Sequence, residues 1–316
     1  MTIAPQFSSA VLHERLLTRL RLRHLKLIDA LATHAHLRRA AEAVHISQPA
    51  ATQMLRELES LLGLPLFERH ARGMRITDAG RLLAQHARMA IDGLRVAADG
   101  LSALAAHEHR PLRIGAIDAA VASVLQPALA AWQPKHPALR LVIEESSIER
   151  LTVGLRGGVF DLVLLRRPPG QEEGQHFVPL RSDRMVVIAG ASHPAARRKR
   201  LKLRDLSDSR WILPPPHYAV RRALEAAWAQ EQWTPREHTV QTLSPHLMAS
   251  VLAQPDVVAP VPHTMLDRID RSAVVELKLQ MDAPIEPLGM LYRGDDVSGA
   301  LALLIDFLTA RATGRP

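Results

Sequence analysis

Residues 37–62 read LRRAAEAVHISQPAATQMLRELESLL and predict two helices joined by a tight turn. Four apolar residues of the first helix recur at helical spacing and form one stripe: Leu37, Ala40, Ala41 and Val44. His45 interrupts the stripe, and histidine is one of the few residues besides glycine that adopt positive φ fairly readily. Ser47 is placed to cap the second helix, and Pro49 falls in its first turn, where a missing N–H costs nothing.

The second helix of this pair has two faces. Its apolar face would pack against the first helix and consists of Ala51, Leu55, Leu58 and Leu62. Its polar face follows the i, i+3, i+4, i+7 spacing and consists of Pro49, Thr52, Gln53 and Arg56. Amide and guanidinium groups bind base edges, and hydroxyls bind bases or phosphates. This composition favours a helix-turn-helix whose second helix enters the major groove, with an ordinary solvated surface helix as the alternative.

Beyond this pair, the sequence from about 22 to 90 resembles the N-terminal region of LysR-type transcriptional regulators. The shared motifs are Ser47-Gln48-Pro49-Ala50, Leu58-Glu59, Gly63, Leu66-Phe67, Arg69, Thr77 and Ala79-Gly80. The chain departs from the family pattern at His36, where a capping Ser is usual, and at Gln53, where Arg is commoner. The resemblance implies a winged helix-turn-helix over residues 22–77, after an N-terminal extension over residues 1–21. We expect DNA contacts from Arg38, Arg39, Ser47, Gln48, Pro49, Thr52, Gln53, Arg56, Arg69, Arg72 and Arg75.

Residues 64–77, LPLFERHARGMRIT, predict the wing itself. Apolar residues flank a basic loop with Gly73 near its tip, so two short strands are expected there. Arg69, Arg72 and Arg75 could reach phosphates or the adjacent minor groove. A solvated hairpin without a ligand is the alternative.

One long helix is predicted over residues 78–106. Its apolar stripe has separations of 4, 3, 4, 3, 4 and 3 and consists of Leu83, Ala87, Ala90, Leu94, Ala97, Leu101 and Leu104. This heptad alternation indicates a partner helix at coiled-coil geometry. We therefore expect a homodimer through residues 78–106, with a tetramer as the higher assembly. Docking of the helix onto the protein's own C-terminal region is the alternative.

The linker ends at residue 110, and strands alternate with helices from residue 111 to 316. Predicted strands are 112–117, 139–146, 161–166, 185–190, 211–216, 238–243, 257–262, 274–279 and 288–293. This alternation indicates parallel sheets in two α/β lobes, lobe I over about 111–186 and 288–316 and lobe II over about 187–287. The region is similar to the effector-binding part of LysR-type regulators, which resembles periplasmic binding proteins. The fold class is therefore a multidomain chain, with an all-α winged helix-turn-helix and linker helix before a two-lobed α/β domain.

Ligands of open α/β lobes bind beyond the carboxyl ends of strands, near helix N-termini. This rule selects Asp118, Ser146, Ser147, Arg166, Pro216, His217, Thr242, Ser244 and Pro262 as effector-binding candidates. Backbone N–H groups at Ser147 and Ser244, together with Arg166, favour a small carboxylate. Asp118 would oppose an anion and leaves room for a sugar or an amine. The alternative for either serine is a plain helix N-cap.

Composition limits the remaining function classes. The 316 residues carry a net charge of +8, of which residues 1–110 contribute 15 Lys/Arg less 10 Asp/Glu, or +5. The absence of cysteine excludes disulfides and thiolate chemistry and fits a reducing compartment. No apolar run approaches the roughly 18 residues of a membrane span, and the N-terminus lacks a signal-peptide core, so a cytoplasmic protein is expected.

No catalytic motif, cofactor motif or metal-ligand spacing is present, so neither an enzyme nor a cofactor is expected. The sequence predicts a DNA-binding transcriptional regulator that responds to a small-molecule effector. A solute-binding protein and an uncharacterised α/β enzyme are the rival interpretations.

Overall fold

A computed structural model describes residues 8–70, 73–105, 110–170, 172–216, 218–281, 283–294, 297 and 299–313. The chain divides into two compact units. The N-terminal unit is Met1–Arg110 with Val153–Val159, and the C-terminal unit is Pro111–Thr152 with Phe160–Pro316. Within the described ranges, no helix is both long enough and apolar enough to cross a membrane.

Helices and a hairpin make up the N-terminal unit. In chain order they are α1 (Ser9–Arg19), α2 (Leu22–His34), α3 (Leu37–Ala43), α4 (Gln48–Leu62), β1 (Phe67–His70), β2 (Gly73–Ile76) and α5 (Asp78–Ala105). The predicted extension therefore contains a helix, α1, whose N-terminus is capped by Ser8. The predicted wing is confirmed as an antiparallel pair in which Phe67 lies opposite Ile76.

The turn signals read from the sequence are confirmed. His45 adopts a φ of +57°, and the Ser47 hydroxyl accepts a hydrogen bond from the Ala50 N–H at 3.3 Å. Gly63 ends α4 with a φ of +69°, as a left-handed C-cap requires. His36 precedes α3 without a side-chain capping bond, which agrees with the poor capping expected there. The two helices are thus bounded by local chemistry alone.

The apolar face of α4 is buried as predicted, with Met54 added to it. It packs with α2, α3, β1 and the start of α5 in one hydrophobic core. Leu27, Ile28 and Leu31 of α2 are almost fully buried in that core. Burying one such side chain stabilises a fold by about 1.5–3 kcal/mol, so the polar face of α4 is held outward.

The heptad stripe of α5 has two different environments. Ala87 is fully buried and Leu83 packs partly against the core of the unit, while Arg88 Nε donates to Asp29 Oδ1 of α2 at 2.7 Å. Ala90, Leu94, Ala97 and Leu101 are exposed; Leu94 is 54% and Leu101 69% exposed. The Leu104 side chain lies outside the described part of the structure. The first two positions of the stripe therefore belong to the core, and the next four form an apolar surface.

The C-terminal unit is an α/β fold. Its first half contains β3 (Leu112–Ala116), α6 (Asp118–Ala120), a π-helical turn (Val121–Leu125), α7 (Gln126–Trp132), β4 (Leu141–Glu145), α8 (Ile148–Arg156), β5 (Leu162–Arg166) and β6 (Gln175–Gly190). Its second half contains β7 (Arg210–Trp211), α9 (Ala219–Glu231), β8 (Arg236–Glu237), α10 (Pro245–Leu252), β9 (Val257–Pro262), β10 (Val274–Glu276), β11 (Pro284–Arg293) and α11 (Gly299–Ala312). Short 3-10 helices at Pro194–Arg197, Leu203–Leu206 and His263–Asp267 complete it.

A single mixed sheet joins the strands in the order β4-β3-β5-β11-β6-β9-β7-β8, and β10 also pairs with β6. The expectation of purely parallel sheets is wrong at the centre, where β6 and β11 run antiparallel to each other and to their neighbours. Parallel pairing is found between β3, β4 and β5 and between β7, β8 and β9. The antiparallel strands are long because they pass from one lobe to the other.

The apolar cores show how the two lobes share these strands. Val178 and Leu180 of β6 pack in the core of lobe I, with α7 and α11. Met185, Val187 and Ala189 of the same strand pack in a core of lobe II, with α9. The predicted strand at 185–190 is therefore the second half of a 16-residue strand.

The predicted strand at 238–243 is wrong, because the structure has only the two-residue β8 just before it. Local hydrogen bonds replace a ladder there: the Val240 N–H donates to His238 Nδ1 and the Ser244 N–H donates to Thr242 Oγ1. Side chains that bond nearby backbone compete with strand pairing. Of the predicted strand at 211–216, only Trp211 belongs to β7. The Ile212 N–H still donates to the Val258 carbonyl at 2.9 Å, but the three prolines at 214–216 cannot donate to a ladder.

Candidate nucleic-acid interface and inter-lobe cleft

The outer face of α4 is open to solvent. Ser47, Gln48, Pro49, Gln53 and Arg56 are exposed, and Thr52 is half-buried. The Thr52 hydroxyl donates to the Gln48 carbonyl at 3.0 Å, which fixes its position along the helix. The face therefore presents two hydroxyls, two amides and a guanidinium along one helix, with the apolar core behind it.

Two of the predicted DNA-contact residues have carboxylate partners that the sequence analysis did not include. Gln53 Nε2 donates to Glu57 Oε1 at 2.9 Å, one turn further along α4. On α3, Arg38 forms an i,i+4 ion pair with Glu42 at 3.0 Å, and Arg39 is exposed beside it. In each case the carboxylate lies four residues further along the same helix, and this i,i+4 spacing could have predicted the pair from the sequence. Each pair holds a polar group in one geometry on the surface.

The wing is attached to the helices by hydrogen bonds at both ends. Glu59 of α4 accepts from the Leu66 N–H at 2.8 Å and from the Phe67 N–H at 3.2 Å. The Met74 N–H of β2 donates to the Ala35 carbonyl between α2 and α3 at 2.8 Å. Gly73 is required there because an added Cβ would lie 2.6 Å from the Ala35 oxygen. The wing and α4 thus form one rigid surface.

Arginines occupy the exposed side of that wing. Arg69 of β1 and Arg75 of β2 are both exposed. Arg72, the third predicted wing arginine, lies outside the described residues. Neither Arg69 nor Arg75 forms an ion pair within the described residues. Both positive charges can therefore bind phosphates.

A buried histidine lies behind α4. His24 of α2 accepts the Arg21 N–H on Nδ1 at 3.2 Å, and its buried Nε2 has no hydrogen-bond partner among the described residues. Burial is the largest cause that lowers the pKa of His24, and the nearby charges of Arg23 and Arg21 lower it further, while Glu57 acts in the opposite direction. The ring is therefore held neutral inside the helical core.

In the C-terminal unit, the predicted effector residues lie at strand ends and helix starts. Ser147 Oγ accepts the Arg150 N–H at 3.4 Å, and Ser244 Oγ accepts the Leu247 N–H at 3.5 Å. Both serines therefore act as N-caps, which was the plainer of the two interpretations. Ser146 is half-buried beside Ser147, Pro216 is exposed, Thr242 binds the Ser244 N–H, and Pro262 ends β9; His217 lies outside the described residues.

Arg166 is held in a buried network that the sequence did not reveal. Its Nη2 forms an ion pair with Asp183 Oδ2 of β6 at 2.7 Å, and its Nη1 donates to the Glu286 carbonyl of β11 at 2.9 Å. Asp183 also accepts the Thr264 hydroxyl at 2.7 Å. The Arg166 and Asp183 side chains are 11% and 1% exposed, so the positive charge of Arg166 is already compensated.

A second ion pair links the two lobes. Asp118, at the start of α6 in lobe I, accepts a hydrogen bond from Arg268, which follows the 3-10 helix after β9 in lobe II. Both side chains are partly exposed. Arg268 was absent from the predicted site because no local motif marks it. The pair therefore joins a cation of one lobe to an anion of the other.

Two further ionisable groups of the C-terminal unit have shifted pKa values. Burial, followed by the charge of Glu149, raises the pKa of the Tyr218 phenol above its ordinary value. Partial burial acts to raise the pKa of Glu286, but the hydrogen bond from Arg222 at 2.6 Å, a backbone hydrogen bond and the charges of Arg222 and Arg166 together outweigh it, and the pKa is lowered. No group of three or more potential metal ligands was found in the residues that the structure describes.

Sequence comparison relates both units to known families. The family described as "Bacterial regulatory helix-turn-helix protein, lysR family" matches residues 22–81, and "LysR substrate binding domain" matches residues 105–313. The transcriptional regulator GbpR of Azospirillum brasilense is 33% identical over 242 residues, which cover 76% of this chain and 71% of that protein. The transcriptional dual regulator OxyR of Escherichia coli is 28% identical over 302 residues, covering 93% of this chain and 96% of that protein.

Solved structures share the fold. CbnR, a LysR family transcriptional regulator, has a TM-score of 0.67 at 20% identity, with 93% of this chain and 99% of that chain covered. The full-length CbnR complex with its target DNA has a TM-score of 0.63 at 19% identity, with coverage of 93% and 100%. At these identities the likeness concerns the fold alone.

Proposed function

The chain belongs to the LysR family of bacterial helix-turn-helix transcriptional regulators, and from this premise we propose that α4 and the wing bind double-stranded operator DNA. Both matched families and the relatives are those of regulators, not of enzymes or solute-binding proteins. The proposed contacts are Arg38, Arg39, Ser47, Gln48, Pro49, Thr52, Gln53, Arg56, Arg69 and Arg75. The proposed domains are residues 1–21, 22–77, 78–110 and 111–316, in a protein of the cytoplasm, where the DNA lies.

One observation carries this proposal: the polar edge of α4 is exposed while its opposite edge is buried in the core. A helix held in this way can lie in a major groove about 12 Å wide, with Arg56 and Gln53 toward the base edges. The Glu59 bonds to the start of β1 fix where the wing lies relative to that helix. Ser47 at the N-terminus of α4 and the wing arginines then face phosphates on either side.

Substitution of Arg56 tests this docking. A duplex would first be selected by the wild-type protein from a random-sequence library, since the operator sequence is not yet known. Arg56→Ala should weaken binding to the selected duplex by about 1–3 kcal/mol, or roughly 5- to 150-fold, with an unchanged circular dichroism spectrum. Arg200→Ala, an exposed arginine of the C-terminal unit, is the charge-matched control. Equal affinity of Arg56→Ala and wild type would contradict the docking.

The effector site proposed for the same chain is the cleft between the lobes. It is lined by Asp118, Ser146, Ser147, Pro216, Thr242, Ser244 and Pro262, with Arg166 beneath it. Because Arg166 is buried and paired with Asp183, we assign the partly exposed Arg268 as the group that would receive a ligand carboxylate. A small carboxylate would replace Asp118 as the partner of Arg268, whereas a sugar would use the hydroxyl and backbone groups.

Thermal-shift screening can separate these two effector classes. The panel would hold small mono- and dicarboxylates in one arm and neutral sugars in the other. If a carboxylate stabilises the protein, Arg268→Gln should remove the shift, because a bidentate charged bond is lost. A sugar shift that survives Arg268→Gln would favour the second class. A carboxylate shift unaltered by Arg268→Gln would rule out this receptor.

Dimerisation is proposed through the exposed part of the α5 stripe. Ala90, Leu94, Ala97 and Leu101 share one face, and small residues at alternate positions permit close approach of a second helix. A dimer through residues 78–106 would present two α4 helices to two half-sites related by two-fold symmetry. A tetramer would be a pair of such dimers.

A further inference from the structure

Helix α1 and the segment that joins it to α2 carry a concentration of positive charge. Residues 14–26, ERLLTRLRLRHLK, hold five Lys/Arg and one Glu. The family match to the helix-turn-helix begins only at residue 22, so Arg15, Arg19 and Arg21 precede it. These three charges therefore belong to an extension that the matched helix-turn-helix region does not include.

The extension is attached to the DNA-binding unit. Helix α1 contacts α4, and Leu16 and Leu20 pack against the core that α4 shares with α2 and α3. Ser8 caps the start of α1, and the Leu20 N–H closes its end on the Leu16 carbonyl at 3.0 Å. Because both ends and the inner face are fixed, the charges on α1 have a defined position beside α4.

The basic side chains point away from this contact. Arg19, Arg21, Arg23 and Lys26 are exposed, and no ion pair is recorded for them within the described part of the chain. Like charges that repel one another and lack counter-charges on the protein are best satisfied by an anionic partner. These side chains therefore form a basic surface that favours binding of a polyanion.

The position of the patch relative to α4 follows from His24 and Glu57. Arg21 binds His24 through its backbone N–H, and both Arg21 and Glu57 are close enough to His24 to act on its ionisation. Glu57 in turn accepts the Gln53 amide on the outer face of α4 at 2.9 Å. The basic segment thus borders the C-terminal half of the face that we assign to the major groove. Phosphates line both walls of that groove.

We propose that α1 and the α1–α2 junction form a second DNA contact, in which Arg19 and Arg21 bind backbone phosphates next to the groove read by α4. This inference rests on the proposed DNA-binding function. The contact is independent of base sequence and adds affinity through release of counterions. It would distinguish this chain from regulators whose chains begin at the helix-turn-helix.

The test is the salt dependence of binding to the library-selected duplex and to a random-sequence duplex. Removing two phosphate contacts with Arg19→Gln/Arg21→Gln should reduce the slope of log affinity against log salt by about 1.8 on both duplexes. If the affinity extrapolated to 1 M salt is unchanged, the loss at 0.1 M salt is about eightfold per contact, or roughly 60-fold in total. Arg19→Lys/Arg21→Lys keeps the charge and should retain most of the slope.

Lys199→Gln/Arg200→Gln is the matched control, because it removes two exposed charges from the C-terminal unit. A wild-type slope for Arg19→Gln/Arg21→Gln would overturn the inference and leave the function of α4 intact. An equal loss in the control would overturn it too, since net charge alone would then be responsible. A wild-type protein that enriches no duplex and binds the random duplex without salt dependence would overturn both proposals.

Discussion

Replacing Asp183 with Asn tests whether the buried network beneath the cleft holds the C-terminal unit together. The amide keeps the shape of the side chain but removes its charge. Arg166 would then keep its bond to the Glu286 carbonyl and lose the carboxylate that pairs with its guanidinium, while the charge of Glu286 still acts on it. Removing one partner of a buried ion pair costs about 3–5 kcal/mol, because the remaining charge is uncompensated.

The chain offers a control with the same chemistry in a different environment. Arg210 and Asp256 form an ion pair with the same 2.7 Å separation, but their side chains are 39% and 49% exposed. Exposed pairs are screened by solvent and contribute little, so Asp256→Asn should cost much less than Asp183→Asn. The control pair has two side-chain bonds where Arg166 and Asp183 have one, so a larger cost for Asp183→Asn would be due to burial and not to the number or length of the bonds.

The assay is urea unfolding followed by tryptophan fluorescence. All four tryptophans, Trp132, Trp211, Trp228 and Trp233, lie in the C-terminal unit, so their emission reports that unit alone. The shift of the midpoint multiplied by the slope gives the change in the free energy of unfolding. Equal costs for the two variants, or a cost below about 1 kcal/mol for Asp183→Asn, would refute the assignment of this network as a structural support.

Three further substitutions probe the N-terminal unit and the dimer. Leu94→Glu should convert the dimer to monomer in sedimentation equilibrium while Leu303→Glu, at an exposed leucine of α11, should not; an unshifted mass would contradict the use of the stripe. The pKa of His24 is lowered in the folded protein, so its contribution to the free energy of unfolding is present above about pH 6.5 and is lost as the pH falls through the folded pKa. In hydrogen-exchange measurements, α2 of the wild type should therefore lose protection at acid pH, and His24→Gln should reduce that loss. Gly80→Ala should cost about 1–3 kcal/mol in far-UV circular dichroism melts because the new methyl meets backbone well within 3.0 Å, whereas Gly93→Ala, with nothing nearer than 3.9 Å, should gain up to about 1 kcal/mol.

The features that the sequence predicted well are those written in consecutive residues. A positive φ at His45, a hydroxyl cap at Ser47 and a left-handed Gly63 each depend on groups within a few positions of one another. The apolar spacing of α4 then determines which edge is buried. For that reason the exposed edge of the helix could be predicted from spacing alone.

The contacts that the sequence did not predict join residues that are far apart in the chain. Arg268 lies 150 positions from Asp118, and Arg166 lies 120 positions from Glu286, so neither pair leaves a local pattern. The second half of β6 was visible as an apolar run, but its first half alternates less clearly and gains its order from pairing with β11. Polar residues at 238–243 alternate like a strand while their side chains bond the adjacent backbone.

The pairing of β6 with β11 is irregular at two adjacent places, between Ile285 and Leu288 and between Leu288 and Gly289, opposite Pro179 to Asp183. Such an irregularity bends the ribbon and tightens its coil. The irregularity lies where the strands pass from the core of lobe I to the core of lobe II. Glu286, which accepts a hydrogen bond from Arg222 of α9, lies within it. If the two lobes closed around an effector, the β6–β11 pair would bend at this irregularity. The regular hydrogen bonds between β6 and β11 on either side would then limit how far one lobe can move relative to the other.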